Sequence, residues 1–338
     1  MVRYIENYPL KQHNTFGVNA RTRFFLEFTE QEDLDIFLKE NDPWKEMPLL
    51  VLGSGSNMLF LNDFDGLILH PNIPGIKEVY EDSRHVWLEA GAGENWDDFV
   101  KYCVEHGWGG VENLSLIPGR VGAAPVQNIG AYGRDVSQVI ERVKGYDLQK
   151  IAPVEFMAEA CGFSYRNSLF KRALKNRFII TSVLFRLEKF PEFNLEYGQL
   201  EEKVKTFGEM NLDNVRKAVI DIRTSKLPDV AQLGNAGSFF KNPEVDAELA
   251  KKIEAQYPGM PLYPLAGDKV KLAAGWLIEQ AGLKGRREGH VGIHDQQALV
   301  LVNYGGASGK EIYDFSEKVR QAVFEKFHIS LEREVNCI

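Results

Sequence analysis

The sequence predicts an α+β protein of two or three domains, and three observations carry that expectation. The chain has 338 residues, more than a single hydrophobic core ordinarily serves, and each domain is then large enough to fold without staples. Its first half repeats a strand, a glycine cluster and a helix. Beyond about residue 200 the style changes to helices separated by polar, glycine-rich stretches, which places a domain boundary near residues 200–225.

In chain order, Phe24 to Phe28 reads as a strand, and Thr29 with Glu32 forms a capping-box signature ahead of the apolar face of Leu34, Phe37 and Leu38. A buried strand at Pro48 to Leu52 runs into Gly53-Ser54-Gly55-Ser56-Asn57. The strand Val86 to Ala90 leads through Gly91-Ala92-Gly93 to a helix with the stripe Trp96, Phe99, Val100, Cys103 and Val104. From Gly107 to Gly133 the chain is dense in Gly, Ala, Pro and Asn and has little periodicity. Its composition is too apolar for a disordered segment, so it reads as a ligand-lining loop. Phe178 to Leu187 is a strand, Leu212 to Arg223 a helix, Leu233 to Pro243 a glycine-rich loop, and Val245 to Gln256 and Lys271 to Gln280 further helices. Ala298 to Val302 looks like a buried strand. The last helix opens on the capping box Ser308 and Glu311 and carries Ile312, Phe315, Val319 and Val323 on one face.

Composition bounds the function. Hydrophobic residues make up 44% and charged residues 26% of the chain, ordinary globular values. A formal net charge of -8 argues against a general nucleic-acid or anionic-membrane surface, which clustered Lys and Arg would have to supply. A local basic pocket for a small anion is compatible with it. Cys103, Cys161 and Cys337 form no CxxC pair, so they read as reduced thiols rather than as a zinc site or a disulfide framework. The amino-terminal segment lacks the apolar run of a signal peptide, and no stretch approaches a membrane span, which places the protein in the cytoplasm.

Several segments hold chemistry-bearing residues. The Gly53 to Asn57 loop invites a dinucleotide reading, but a third glycine at the Rossmann spacing would fall on Met58, and Met58-Leu59-Phe60-Leu61 reads as strand rather than helix. What remains is either a backbone nest for pyrophosphate oxygens or a tight turn. Ile117-Pro118-Gly119-Arg120-Val121-Gly122-Ala123-Ala124-Pro125 would leave a hole in the core unless a flat ligand fills it, its alternative being a surface crossing. Arg166, within Phe163-Ser164-Tyr165-Arg166-Asn167-Ser168, offers a planar fork for a carboxylate or a surface salt bridge. Ser238 lies between Lys226 and Lys241 in a glycine-flanked loop without a GxSxG elbow, as a proton donor near cations or a serine that stabilises a turn. His290 and His294 have metal-pair spacing, yet the glycines around them argue for an extended segment and HExxH is absent, so no metal is expected. Glu332 and Glu334 flank Arg333 in a strand-like run that sends both carboxylates to one face.

Taken together, these segments resemble the UDP-N-acetylenolpyruvoylglucosamine reductase (UDP-N-acetylmuramate dehydrogenase) family. The matching pieces are Asn14-Thr15-Phe16-Gly17, Leu52 to Asn57, Ile117-Pro118-Gly119 through Gly133, Tyr165-Arg166-Asn167-Ser168, Lys226-Leu227-Pro228, Asn235 to Pro243, and Leu331-Glu332-Arg333-Glu334-Val335, in family order. Glu196-Tyr197-Gly198 is similar to the tyrosine-bearing loop of the family's longer form.

That resemblance implies a fold, a cofactor and a site. The fold is a two-subdomain FAD-binding region of the vanillyl-alcohol-oxidase/PCMH type, about residues 17–190, with subdomains 1–70 and 71–210. An α+β substrate domain, 211–325, follows, and the segment 326–338 carries Glu334 back to the active site. Noncovalent FAD would be held by Gly53, Ser54, Gly55, Ser56, Asn57, Pro118, Gly119, Gly122, Ala123, Gln127, Asn128 and Gly130. Arg166, Ser238 and Glu334 occupy the family's catalytic positions, and Tyr132, Tyr197, Lys226, Asn242, Tyr263, Lys271 and Gln297 its substrate positions. NADPH is the implied hydride donor, UDP-N-acetylglucosamine enolpyruvate the acceptor, Ser238 the proton donor, and the protein a monomer. The alternatives are another FAD-dependent oxidoreductase of the same superfamily and a non-catalytic nucleotide-sugar binding protein.

Overall fold

The structure is a computed structural model and describes residues 2–40, 43–196 and 198–338. The chain divides into two compact units. The first comprises the amino-terminal residues through Tyr8 together with Thr22–Ser54 and Phe64–Thr224, and the second comprises Pro9–Arg21, Gly55–Asp63 and Ser225–Ile338.

The first unit contains two sheets. In one, of order Val2–Pro9, Arg21–Phe28, Phe64–Pro71, Leu49–Val51, the last three strands run parallel, with Leu26 opposite Leu69 and Leu50 opposite Ile68. Such strands are buried on both faces, which is why Phe64–Pro71 carries the continuous run Leu67, Ile68, Leu69. The helix Gln31–Glu40 adds Leu34 and Leu38 to their core. The other sheet is antiparallel, of order Ala152–Met157, Ile140–Asp147, Phe178–Glu188, His85–Gly91, Ile76–Glu81. The helix Trp96–Glu105 packs its whole expected stripe into that core, against Val86, Leu88 and Phe185. Asn95 caps it, its side chain accepting from the amides of Asp97 and Asp98. The glycine clusters are close approaches of backbone: a Cβ on Gly91 would stand 2.3 Å from the Ile73 carbonyl oxygen.

The second unit also has two sheets. Gly234–Ser238, Val300–Asn303, Val291–Ile293 and Arg287–Glu288 form one, and Glu244–Asp246, Lys269–Leu272 and Leu262–Pro264 the other. The helix Gly309–Phe327 has the expected capping box of Ser308 and Glu311 and buries Ile312, Phe315, Val319 and Val323. They join Phe239, Phe240, Leu277 and Leu301 in the core of this unit. Asn336–Cys337 pairs in parallel with Met58–Leu59. The chain after Asn57 is therefore strand, and the expectation that this glycine loop does not open a Rossmann helix is met.

Three expectations are corrected. The Leu233 to Pro243 stretch is not loop throughout, because Gly234–Ser238 pairs with Val300–Asn303. Its glycines carry no strand preference, and the pairing follows from close packing, since a Cβ on Gly234 would lie 2.4 Å from the carbonyl oxygen of Phe16. The helix assigned to Val245 to Gln256 starts at Ala247, after the strand Glu244–Asp246. The helix assigned to Lys271 to Gln280 starts at Ala274, because Lys269–Leu272 is the middle strand of its sheet and pairs on both sides.

Candidate active site

The glycine loop at residues 53–57 is fixed by its backbone. Gly55 has φ +67° and a Cβ there would fall 1.9 Å from the carbonyl oxygen of His13, so only glycine fits. Asn14 organises the facing segment, donating to the carbonyls of Leu10 and Val18 at 2.8 and 3.1 Å and accepting from the Val18 amide at 2.9 Å. Thr15 reaches Ser56 through its hydroxyl, 3.3 Å from that carbonyl, and its own carbonyl receives the Asn235 amide at 3.0 Å. Asn57 donates to the Glu334 carbonyl at 3.2 Å. Gly53, Ser54, Ser56 and Asn57 are half-buried, and the Ser54 hydroxyl is buried with no hydrogen-bond partner. A buried hydroxyl left without a protein partner suits a bound polar ligand.

In the first unit, the long irregular stretch carries two short 3-10 turns, Glu112–Leu114 and Val121–Ala123. Gly122 packs directly on Ala92: a Cβ would come within 2.6 Å of the alanine Cβ. Gly119 adopts φ +150° and its carbonyl receives the Trp96 amide at 3.1 Å. Pro118 is exposed, whereas Ala123 and Gln127 are half-buried. Asn128, at φ +47° and buried, accepts from the Ser137 amide at 3.0 Å and donates to the Ser164 carbonyl at 3.3 Å. This ties the stretch to the turn that bears Arg166, where Ser164 and Asn167 exchange backbone hydrogen bonds at 3.1 Å. Arg166 takes the left-handed conformation at φ +52°, lies over the Tyr165 ring and donates to the Gly130 carbonyl at 2.6 Å. A Cβ on Gly130 would stand 2.9 Å from the carbonyl oxygen of Arg134, closer than side chains tolerate.

Tyr132, at φ +49°, is the turn of a small hairpin between Gly130–Ala131 and Arg134–Asp135. Asn113, fully buried, donates to the carbonyls of both Tyr132 and Asn194, each at 2.8 Å. Tyr197, three residues further on, lies outside the described residues.

In the second unit, the strand Gly234–Ser238 has a register break between Asn235 and Ser238, with Gly237 at φ +66°. Asn235 stabilises the break, accepting from the Gly237 amide at 3.0 Å. Ser238 emerges from it exposed, its hydroxyl free of hydrogen bonds among the described residues. The next residues pair with the carboxyl-terminal segment: Phe240 bridges Arg333, Lys241 donates to the Glu332 carbonyl at 2.9 Å, and the Glu334 amide donates to the Phe239 carbonyl at 2.9 Å. This register sets half-buried Glu334 alongside the residue that follows Ser238. The Lys241 ammonium pairs with Glu332.

The remaining residues of the second unit form pairs. Tyr263 and Lys271 are cross-strand partners, so their side chains share a face. Asn242 accepts from the Ala274 amide at 2.9 Å, and Gln297 stands at the same helix start, 3.1 Å from where a Cβ on Gly275 would be. Lys226 is the exposed last residue of the helix Leu212–Lys226. His290 and His294 flank the strand Val291–Ile293, so that segment is extended as expected. Among the described residues no cluster of His, Cys, Asp or Glu is suited to hold a metal.

Sequence reasoning missed Asn113 and the pair of Arg216 with Asp97. No motif marks either, since the partners are distant in sequence. Arg216 grips Asp97 through two bonds of 2.7 and 2.9 Å. Burial works to raise the Asp97 carboxyl, but the Arg216 and Leu116 donors outweigh it and hold the group below the usual range. Glu112 is the opposite case, pushed up by burial.

Comparison with known proteins follows the same division. A family model described as UDP-N-acetylenolpyruvoylglucosamine reductase, C-terminal domain, matches residues 229–338, and one described as FAD binding domain matches residues 25–148. The chain is similar to the UDP-N-acetylenolpyruvoylglucosamine reductases of Amoebophilus asiaticus, 46% identical over 98% of each chain, and of Bacteroides fragilis, 45% identical over 98% of this chain and 99% of the other. That of Pseudomonas putida is 44% identical over 99% of both. The solved reductase of Thermus caldophilus shares the fold, with a TM-score of 0.68 at 24% identity, covering 100% of this chain and 98% of that one. The α+β class, with a flavin-binding region and a separate carboxyl-terminal domain, is thus borne out. With relatives 46% identical along nearly its whole length, this chain belongs to the UDP-N-acetylenolpyruvoylglucosamine reductase family.

Proposed function

We propose that this protein reduces the enol ether double bond of UDP-N-acetylglucosamine enolpyruvate to give UDP-N-acetylmuramate, with NADPH as hydride donor and FAD as cofactor, for peptidoglycan precursor synthesis. The observation that supports the reading is the pairing of residues 239–241 with 332–334, in which the Glu334 amide meets the carbonyl of Phe239, the residue after Ser238. When bound, FAD supplies a two-electron hydride carrier, chemistry no side chain provides. We assign such a group to the Gly53 to Asn57 loop, where the Ser54 hydroxyl is buried without a partner, and to the Pro118 to Gly130 stretch.

The reaction adds a hydride at the terminal carbon and a proton at the carbon bearing the carboxylate. Arg166, always charged, holds the substrate carboxylate and stabilises negative charge that grows as the hydride arrives. Its fixed conformation comes from the Gly130 carbonyl and the Tyr165 ring. Glu334, in its protonated form, donates to the same developing charge. Ser238 delivers the proton, and as a neutral donor it adds no further ion to the site. Tyr132, Tyr197, Lys226, Asn242, Tyr263, Lys271 and Gln297 are assigned to the substrate, with Lys226, Asn242 and Lys271 around its pyrophosphate. No helix among the described residues is long and apolar enough to cross a membrane, and we assign the enzyme to the cytoplasm as a monomer, where both nucleotide substrates occur.

The test is the visible spectrum of the purified protein. Flavin absorbance should be bleached by NADPH and restored, without oxygen, by the enolpyruvyl nucleotide sugar. A colourless protein, or a flavin restored only by oxygen, overturns the reading.

A further inference from the structure

The parallel ladder between Leu49–Val51 and Phe64–Pro71 stops one bond short. Its bonds alternate between the strands, the Leu67 amide donating to the Pro48 carbonyl at 2.9 Å and, further on, the Leu52 amide to the Leu69 carbonyl at 3.0 Å. With Leu50 opposite Ile68, the same alternation assigns the Leu52 carbonyl to the amide of residue 71. That residue is Pro71, which has no N–H. The side chain of the preceding residue makes up the loss: His70 Nδ1 stands 2.7 Å from the Leu52 carbonyl oxygen. A carbonyl only accepts, so Nδ1 carries the proton. The ring is 3% exposed, and burial, aided by the Arg120 charge, holds its pKa below the ordinary imidazole value against the pull of the Leu52 carbonyl and Glu27. The Glu27 carboxylate is 3.8 Å from Nε2, so of these two partners Leu52 is the one within bonding distance.

A trans peptide is planar and points its N–H opposite to its C=O, and no described peptide is cis. With the Leu52 oxygen turned toward Phe64–Pro71, the Gly53 amide is turned away from it, off the edge of the sheet where Leu49–Val51 is the last strand. That amide makes no hydrogen bond among the described residues, although Gly53 is half-buried. Gly53 lies against the Pro118 to Gly130 stretch: a Cβ there would meet Ala123 Cβ and Arg120 Cγ, each at 3.6 Å. A half-buried donor without a protein partner, in a loop of small residues, suits an anionic ligand oxygen.

We propose that His70 is a positioning residue for the flavin: its Nδ1–H, in place of the ladder donor that Pro71 lacks, fixes the Leu52–Gly53 peptide so that the Gly53 amide is set to donate to the FAD pyrophosphate. The inference rests on the proposed function, which brings FAD to this loop. A packing role alone is met by an apolar side chain of similar volume, whereas fixing the peptide requires a donor.

The test is release of FAD from the holoprotein on dilution, followed by flavin fluorescence, alongside thermal unfolding. His70→Leu, which keeps the bulk and removes the donor, is expected to release FAD about tenfold faster than wild type, the worth of roughly one hydrogen bond. His70→Asn, whose amide nitrogen can stand where Nδ1 stands, should release it close to the wild-type rate, although it fills the site less well and melts lower. Release from His70→Leu at the wild-type rate overturns the proposal. Equally fast release from both variants also overturns it, since His70 would then act through packing. Should His70→Leu not fold, His70→Met is judged by the same criterion. A wild-type protein that holds no flavin would instead overturn the functional reading beneath it.

Discussion

At the scale of single residues, what the sequence displays and what the fold demands diverge most at Gly55 and Ser238. The Gly53 to Asn57 loop was legible as a place of close approach, a nest or a tight turn, because glycine and serine advertise it. The reason Gly55 must be glycine, its 1.9 Å approach to the His13 carbonyl oxygen, depends on a segment some forty residues away. Gly55→Ala should destabilise the protein by about 2–5 kcal/mol, from overpacking and left-handed strain together, and should lower the flavin content of the purified protein. Gly17→Ala is the control: φ is +65° there too, but nothing lies within 4 Å, so only about 1–2 kcal/mol of strain applies and flavin should be retained. Thermal unfolding and flavin stoichiometry separate the two. The local sequence left Ser238 open between a turn serine and a proton donor, because the register break from which it emerges exposed comes from pairing with Val300. Ser238→Ala should leave bleaching by NADPH intact and slow recovery by the enolpyruvyl substrate about 10²- to 10⁴-fold, the usual contribution of a general acid. Stopped-flow absorbance measures the two halves separately, and equal loss in both would remove Ser238 from that role.

At the scale of elements, helices with a continuous apolar stripe and the short apolar strands Leu49–Val51 and Val300–Asn303 were readable, and short strands without an apolar run were not. Trp96–Glu105 and Gly309–Phe327 declare themselves through period and caps, whereas Gly234–Ser238 has the sequence GNAGS and becomes a strand only through its neighbours. The same holds for the connection between the Tyr132 hairpin and the segment before Tyr197. Beyond the two bonds of Asn113, Asn194 donates to the Gly133 carbonyl at 3.3 Å and Arg134 to that of Glu192 at 3.0 Å. No local pattern announces this lacing, since each partner is distant in sequence. Asn113→Asp would set a carboxylate against two carbonyl oxygens in a fully buried place, each unanswered acceptor costing about 1–3 kcal/mol. The KM for the enolpyruvyl substrate should rise on the order of tenfold through displacement of Tyr132, with flavin content unchanged. Steady-state kinetics that show kcat falling at constant KM would assign Asn113 a different role.

At the scale of the whole molecule, a net charge of -8 says nothing of where the cations are, and the place of Arg166, over the Tyr165 ring and on the Gly130 carbonyl, is set by local contacts that no overall charge announces. The acids on the opposite side of that balance make stability depend on pH in two directions. Asp97, held below its ordinary range by Arg216, contributes stability that is present above about pH 4, the unfolded value, and lost as pH falls through the folded one. Glu112 reverses the sign. Buried to 1% exposure, with Oε2 on the Gly110 amide at 2.6 Å and Oε1 unpartnered, it prefers to be protonated in the fold. Its contribution is fully present below the unfolded value of about 4.3 and lost as pH rises through the raised folded one. Glu112→Gln keeps the shape and the bond to Gly110 while removing the charge. The variant should therefore melt above wild type at pH 7.5, by an amount on the order of 1–3 kcal/mol for one buried unpaired charge. The difference should shrink as pH falls toward the unfolded value of about 4.3, because protonation of Glu112 removes the charge that burial disfavours. Melting curves from pH 4.5 to 8 decide it: parallel pH profiles for the two proteins would mean that Glu112 ionises as freely in the fold as out of it.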